Sequence, residues 1–371
     1  HRKFGTAKWH LAEVRRDLIA RDCQTATLES EVLPKAIDLV SARTEFYEKP
    51  TALPTVSGGS IKLDLQRRDF TINTLAIRLD GNYFGELYDY WGGLSDLRQG
   101  KIRVLHSLSF VDDPTRILRA VRFEQRFAFK IEERTLELLH QAKNYLKDVS
   151  GDRVRHELDL IFKEPKAPEM LARMAELNLF PAIHPLINVP SNLSEELKKF
   201  RSIQPTDEWR FDEKEKRDLL LDGAYILLLS RLDTDSVIKI CRRLRIRNRL
   251  RKNILDANLL WQYLDNLLGK KPSEITHMLE SCSQIVIYCV HFLCQNNEQQ
   301  RILEMFATHW RWIEPFTTGD TLKKLGLEPG PVYKSILSDL KSAWLNGKVK
   351  SRNEEGEMLQ ALVEEAKNRN I

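Results

Sequence analysis

Arg116, Arg119, Arg122 and Arg126 follow Asp112-Asp113-Pro114-Thr115 at spacings of three, three and four residues. Proline suits a first helical turn, and at 100° per residue the four arginines fall within one arc of about 120°. Asp113 stands at the N-terminal edge of that arc, while Ile117, Leu118 and Val121 point away from it, toward a core. Four guanidiniums on one face repel one another unless something anionic lies across them. Phosphates and planar nucleobase edges match the rigid fork of donors that arginine offers. A solvated face balanced by carboxylates of another helix fits the same pattern, and the pattern alone does not choose between the two.

Three other groups carry chemistry. In Arg67-Arg68-Asp69-Phe70-Thr71-Ile72-Asn73-Thr74-Leu75-Ala76, Arg68 can neutralise a polyphosphate, and Asp69 and Asn73, four apart, can share a helix face. Asp69 as a helix N-cap and Asn73 as a surface residue are the structural alternatives. Asp38 sits in the apolar run Ala36–Val40, either as a strand acid without special role or as a metal ligand. Further on, Lys239, Arg242, Arg243, Arg245, Arg247, Arg249, Arg251 and Lys252 place eight cations in fourteen residues. Such density, spanning a helix end and a turn, suits a phosphate backbone, a solvated surface being the alternative. Leu325–Pro331 reads as a glycine turn feeding a helix N-terminus, and His106 as a loop residue. No His/Cys arrangement suggests metal or nucleophilic catalysis.

The elements that must position these groups divide in two. Residues 1–90 read as mixed α and β, with strands at Ala36–Val40 and Ser60–Leu65, a loop marked by Pro50, Pro54, Gly58 and Gly59, and a polar insertion or mobile loop over 11–35. From about residue 108 helical spacing recurs at 114–129, 133–147, 150–163, 168–178, 215–231, 235–244 and 249–269, and continues to the end. A β-containing head followed by a long helical body is an α+β arrangement. At 371 residues there is length for two or three domains, and 42% hydrophobic with 30% charged residues is a soluble globular composition. A net charge of +5 is mild, so only its distribution bears on an anionic partner. The longest apolar run, near Ile285–Cys294, is about half of what a bilayer span needs, so no membrane association is expected. Five cysteines without a CxxC pair favour reduced thiols and a cytoplasmic location.

The Arg67–Ala76 run and Phe110–Phe123, in this order and about forty residues apart, resemble the class II tRNA nucleotidyltransferases and bacterial poly(A) polymerases. These enzymes add nucleotides to RNA 3′ ends without a nucleic-acid template. The resemblance continues through Asp89–Leu97 and Gly100–Leu105, and Arg153 and Glu157 match a neck motif read as a bracing ion pair. It implies a partial DNA polymerase β-like nucleotidyltransferase head over 1–107, a base-selecting, RNA-binding helical neck over 108–180, and a tRNA-binding helical body and tail over 181–371. By position, Asp113 and Arg116 would pair with the edge of the incoming base, Arg119 and Arg122 would hold phosphates, and Arg68, Asp69 and Asn73 would contact ribose and triphosphate. Arg242, Arg243, Arg245 and Arg247 are the expected RNA-binding residues. Asp38 matches the third carboxylate of a two-Mg²⁺ centre, making it the expected catalytic and metal residue. The first acid of the template motif, often Glu in the family, is here Asp112. The partners implied are tRNA with ATP and/or CTP.

The family's Gly-Gly-x-x-x-Arg-Asp turn and Asp-x-Asp strand are expected before His1 and have no counterpart there. Gly58-Gly59 and Asp233-Thr234-Asp235 are in the wrong positions to replace them. The expectation is therefore that an upstream segment or separate chain supplies those carboxylates, and that the chain alone lacks normal catalysis. Addition of AMP and/or CMP to tRNA 3′ ends is the first functional reading. A poly(A) polymerase acting on general RNA ends and a non-catalytic RNA-binding protein are the alternatives.

Overall fold

The computed structural model describes residues 5–11, 36–46 and 55–369. Its contacts form two compact units, His1–Val149 and Ser150–Ile371. The division falls within the span expected to form the neck. The polar 11–35 segment lies almost wholly outside the described residues, as does Cys23.

The first unit carries every described strand, in four two-stranded sheets. Strands β1 (Thr6–His10) and β2 (Ala36–Val40) pair antiparallel with Lys8 opposite Asp38, and β3 (Arg43–Phe46) pairs antiparallel with β4 (Thr55–Gly58). Strands β5 (Ala76–Ile77) and β6 (Leu87–Tyr88) form a short hairpin, while β7 (Lys101–Ile102) and β8 (Lys130–Ile131) pair in parallel. Among the described residues the helices α1 (Ile61–Gln66), α2 (Gly93–Gln99), α3 (Ser109–Asp112), α4 (Thr115–Phe127) and α5 (Glu133–Ala142) accompany them.

The strand expected over Ser60–Leu65 is instead helix α1. Ser60 Oγ accepts from Leu63 N and caps it. Asp64 and Leu65 are buried in the helix, and the Asp64 carboxylate accepts from Arg43 N at 3.2 Å and Arg67 Nη2 at 2.8 Å. Apolar–polar alternation marks a strand only when the apolar side faces the core, and here Ile61 and Leu63 are exposed.

Helix α2 explains the Asp-Tyr-Trp-Gly-Gly-Leu run. The Asp89 carboxylate accepts from Gly93 N at 2.7 Å and Leu94 N at 3.0 Å, filling orphan donors of a first turn. A Cβ at Gly93 would lie 2.3 Å from the Thr71 carbonyl, so only glycine permits this approach. Thr71 Oγ1 also donates to the buried Asp96 at 2.7 Å. Helix α2 is thereby fastened to the Arg67–Ala76 segment. Phe70, Phe110, Ile117, Leu118 and Val121 are fully buried and form the core beneath that segment.

The second unit is helical throughout its described residues: α6 (Gly151–Lys163), α7 (Ala167–Glu176), α8 (Phe180–Ile183), α9 (Leu193–Ser202), α10 (Glu213–Leu229), α11 (Thr234–Arg243), α12 (Asn248–Gln262), α13 (Pro272–Leu279), α14 (Gln284–Leu293), α15 (Asn297–Thr308), α16 (Gly319–Lys324), α17 (Pro331–Leu345) and α18 (Arg352–Arg369). The α+β expectation holds, with the described strands confined to the first 131 residues. Helix α10 is central. It opens on an Asp212/Glu215 capping box and buries Leu219 and an unbroken run from Asp222 to Leu229, with Gly223 against the Phe200 ring. The apolar run near Ile285–Cys294 is α14, mostly buried in this core. Among the described residues no helix is long and apolar enough to cross a membrane. Asp233-Thr234-Asp235 opens α11, Asp233 accepting from Ser236 N at 2.9 Å, a capping role.

The last helices hold their own small core of Leu322, Leu327, Ile336, Leu340, Leu359 and Val363. Beside it Glu355 is buried and accepts from Phe316 N, from Thr317 N and Oγ1, and from Trp344 Nε1.

Candidate nucleotide cleft and basic surface

In the first unit the Arg67–Ala76 segment and the start of α4 meet at a cleft of about 500 Å³. Arg68, Asp69, Asn73, Asp113, Arg116 and Arg119, all expected site residues, line it, joined by Arg67 and Phe123. Arg122, expected beside Arg119, is buried and is not among the lining residues. Four arginines against two aspartates give the cleft wall an excess of positive charge.

Asp69 is the hub. Its Oδ2 accepts from Arg119 Nε at 2.8 Å and Nη2 at 2.6 Å, and its Oδ1 accepts from Asn73 Nδ2 at 2.8 Å and Phe70 N at 3.0 Å. The Asp69 and Asn73 pattern is therefore neither a helix cap with a free surface amide nor two independent contacts. It is one network that also fixes an arginine of α4.

Arg116 is buried, with Nη1 donating to Ser109 Oγ at 2.6 Å and Nη2 to the Arg67 carbonyl at 2.7 Å. A guanidinium has five N–H donors, of which these two bonds use two, and Arg116 lines the cleft. Asp113 Oδ1 accepts from Thr115 N at 3.0 Å and Thr115 Oγ1 at 2.6 Å, anchoring the carboxylate over the first turn of α4. Carboxylate acceptor and guanidinium donors thus stand side by side, the combination that a base edge requires. Arg119 also lies 5.3 Å from the Phe123 ring, giving the cleft an aromatic flank.

Arg67 and Arg68 both reach Asp64, at 2.8 Å and 3.3 Å. Burial by itself raises the Asp64 carboxyl, but the hydrogen bonds and charges of Arg67, Arg43 and Arg68 outweigh it and hold the group below its ordinary value. Its charge therefore persists into mild acid. His106 is pushed below its ordinary value by burial, against the pull of Asp112 at 3.9 Å.

Sequence reasoning missed Arg67, Ser109 and Phe123. Arg67 contributes its carbonyl, which no pattern of side chains signals. Ser109 stands two helical turns before Arg116 across the Pro114 break, and only the fold brings them into contact.

Asp38 stands on β2, with its side chain exposed and 3.5 Å from Lys8 Nζ. Among the described residues no three His, Cys, Asp or Glu side chains gather as a metal site, so the described residues do not by themselves fit a two-metal centre.

In the second unit the eight cations run through the end of α11 and the start of α12. The turn between them is tight, with Arg245 at φ +48°. A Cβ at Gly151 would fall 1.9 Å from the Arg243 carbonyl, so α6 begins in direct contact with this turn. Arg155 Nη1 donates to the Leu244 carbonyl at 3.3 Å and to that of Arg245. Arg245 pairs with Asp152 at 2.9 Å, Arg249 with the fully buried Asp222 at 2.5 Å, and Lys252 with Asp256 at 2.6 Å. Lys239, Arg242, Arg247 and Arg251 are exposed and, among the described residues, form no ion pair. Arg243 is half-buried, and its charge, with that of Lys239, adds to burial in pushing His184 below its ordinary value.

Comparison with known proteins places these features in a family. Residues 7–103 match the family described as the Poly A polymerase head domain, and 128–189 match the probable RNA and SrmB-binding site of polymerase A. The chain is 36% identical over 343 residues to an A-adding tRNA nucleotidyltransferase of Geobacter sulfurreducens, covering 89% of this chain and 38% of that protein. It is 31% identical to the A-adding tRNA nucleotidyltransferase of Halalkalibacterium halodurans, covering 95% of this chain and 76% of the relative. Among solved structures, the Thermotoga maritima CCA-adding enzyme complexed with tRNA superposes with a TM-score of 0.64 at 31% identity, covering 84% of this chain and 77% of that one. A cleft built from the Arg67–Ala76 segment and the arginine helix, and similarity along nearly the whole length of the chain, together make it a member of the tRNA nucleotidyltransferase family with a poly(A) polymerase head.

Proposed function

We propose that the protein adds a nucleotide, AMP from ATP, to the 3′ end of tRNA with release of pyrophosphate. The carrying observation is the convergence of Arg68, Asp69 and Asn73 with Asp113, Arg116 and Arg119 on one cleft. In this reading Asp113 and Arg116 present acceptor and donors to the base edge. Arg68 and Arg119 neutralise phosphates, and Asn73 faces the sugar. Arg122, buried beside Phe123 at 5.5 Å, supports the positive field of the helix. The similarity to two A-adding enzymes favours ATP as donor. The similarity to a CCA-adding enzyme bound to tRNA supports tRNA as acceptor, and favours CTP use as the second reading. Enzymes of this family use divalent metal ions; Mg²⁺ is the ion this reading assigns, with Asp38 as one ligand of a centre that the described residues do not complete. Arg242, Arg243, Arg245 and Arg247 are assigned to the tRNA backbone. The four described cysteines are free thiols, in keeping with a cytoplasmic location.

The test is incorporation from ATP or CTP onto tRNA transcripts ending in CC, with Asp113→Ala and Arg116→Ala variants of the enzyme alongside. Loss of a bidentate base contact costs about 1–3 kcal/mol of discrimination, so the ratio of kcat/KM for ATP over CTP should fall on the order of tenfold to a hundredfold. Arg119→Ala should weaken both nucleotides alike, because a phosphate carries no base identity. If Asp113 and Arg116 variants keep the parental ratio, the base-reading assignment is wrong. Incorporation of CMP alone would replace the AMP reading.

A further inference from the structure

The second unit holds a cavity of about 310 Å³ built by α12, the turn that follows it and α13. Leu259, Tyr263 and Met278 form its mouth and are 43%, 54% and 41% exposed. Asp256, Asn266 and Ser281 supply the polar atoms of its wall.

This cavity is continuous with the basic surface. At 100° per residue Lys252, Asp256 and Leu259 fall on one stripe of α12, within an arc of about 60°, and Tyr263, the residue just past its end, lines the same cavity. Lys252 Nζ donates to Asp256 Oδ2 at 2.6 Å and to the Ser281 carbonyl at 3.0 Å, so the cationic cluster ends on the cavity's own rim. Seven residues of helix separate Lys252 from Leu259, a rise of about 10 Å. That is the scale of the distance from a nucleotide's phosphate to the far side of its base.

The chemistry of the wall selects what enters. An anion is repelled by Asp256. A flat apolar group is accepted by leucine, methionine and a tyrosine ring. Asp256 Oδ1 and the Asn266 side-chain amide have no hydrogen-bond partner among the described residues, so polar bonding capacity remains on a largely apolar wall. A nucleobase with an exocyclic amine answers both features, stacking on the ring and donating to the carboxylate. We propose that this cavity holds one unstacked, amine-bearing nucleobase of the bound RNA, with the neighbouring phosphates on Arg247 and Arg251. The proposal deepens the tRNA-binding reading and rests on it. Charge complementarity along α12 favours a polyanion that also carries flat apolar groups, which RNA does.

The experiment is equilibrium binding of an unmodified tRNA transcript to the full chain across a salt series, with Tyr263→Ala, Tyr263→Phe, Met278→Glu and Arg251→Ala. Base stacking on an aromatic side chain contributes about 1–3 kcal/mol, so Tyr263→Ala should weaken binding about fivefold to a hundredfold. Tyr263→Phe should retain affinity, and Met278→Glu should lose it. The signature is the salt dependence: Tyr263→Ala keeps the slope of log K against log salt because no phosphate contact is lost. Arg251→Ala lowers that slope by about one unit. Tyr263 and Met278 are partly exposed, and unchanged thermal unfolding of their variants separates lost binding from lost fold. If the parent binds tRNA and both Tyr263→Ala and Met278→Glu bind as tightly, the cavity takes no base and the proposal fails while the functional reading stands. If the parent itself does not bind tRNA, the functional reading fails and the base site with it.

Discussion

Replacing Asp69 by Asn tests whether the cleft is organised by one carboxylate. The substitution keeps shape and one acceptor oxygen but removes the charge. Asp69 is 8% exposed and takes four hydrogen bonds, two of them from Arg119, whose side chain is 29% exposed. Hydrogen bonds to charged groups contribute about 1.5–3 kcal/mol each, and breaking a fully buried ion pair costs about 3–5 kcal/mol. Arg119 retains water access, so the lower end applies and a loss of about 2 kcal/mol is expected. For a unit of this size that lowers Tm by about 4–8 °C. Nucleotide affinity should fall at least about tenfold, equivalent to 1.4 kcal/mol, because Arg119 and Asn73 are released together. Thermal unfolding and calorimetric titration with ATP measure the two effects. A double-mutant cycle with Arg119→Gln should show a coupling of about 0.5–3 kcal/mol. An Asp69→Asn protein with parental Tm and only weakened nucleotide binding would mean that Asp69 touches the ligand without organising the cleft. Additive behaviour with Arg119→Gln would refute the network itself.

Three further expectations follow from particular contacts. Ser109→Ala removes the acceptor of Arg116 Nη1 inside a buried site, at a cost of about 1–3 kcal/mol. It should raise KM for the nucleotide and narrow ATP over CTP preference, and steady-state kinetics with unchanged values would show that Arg116 is held without it. Combined Ala substitution of Lys239, Arg242 and Arg247, all exposed and outside ion pairs among the described residues, should flatten the salt slope of tRNA binding by up to about three units; an identical slope would assign them to solvated surface. Glu355→Gln should destabilise the last helices by about 2–4 kcal/mol. Burial raises this carboxyl, but donors from Thr317, Trp344 and Phe316 outweigh it and hold it below the ordinary value. The stability it contributes is therefore present above the unfolded-state pKa and lost as pH falls through the lower folded one. Acid unfolding followed by circular dichroism should show a parental transition in that window that Glu355→Gln flattens, and equal acid sensitivity in both proteins would exclude the group.

The helical part of the fold was legible because its cause is local. A 3.6-residue period and the proline before Thr115 act over a few residues, so the helix starts and stops expected from spacing agree closely with α4, α6, α10 and α11. Six of the eight residues that line the cleft were legible for another reason: the two charged runs that carry them, in that order and spacing, resemble motifs of a known family. Ser60–Leu65 was misread because alternation says nothing about which side meets the core, and a buried carboxylate there draws Arg43, Arg67 and Arg68 around itself. The sequence likewise could not divide the eight cations into those neutralised by Asp152, Asp222 and Asp256 and those left to solvent. Nor could it place Ser109 and the Arg67 carbonyl on Arg116, or continue the basic stripe of α12 into an apolar cavity. Residue types and short-range spacing were determined by the sequence alone. Which charges are compensated and which surfaces adjoin depend largely on groups distant in the chain, 49 positions for Arg67 and Arg116 and 93 for Asp152 and Arg245, and only packing brings those together.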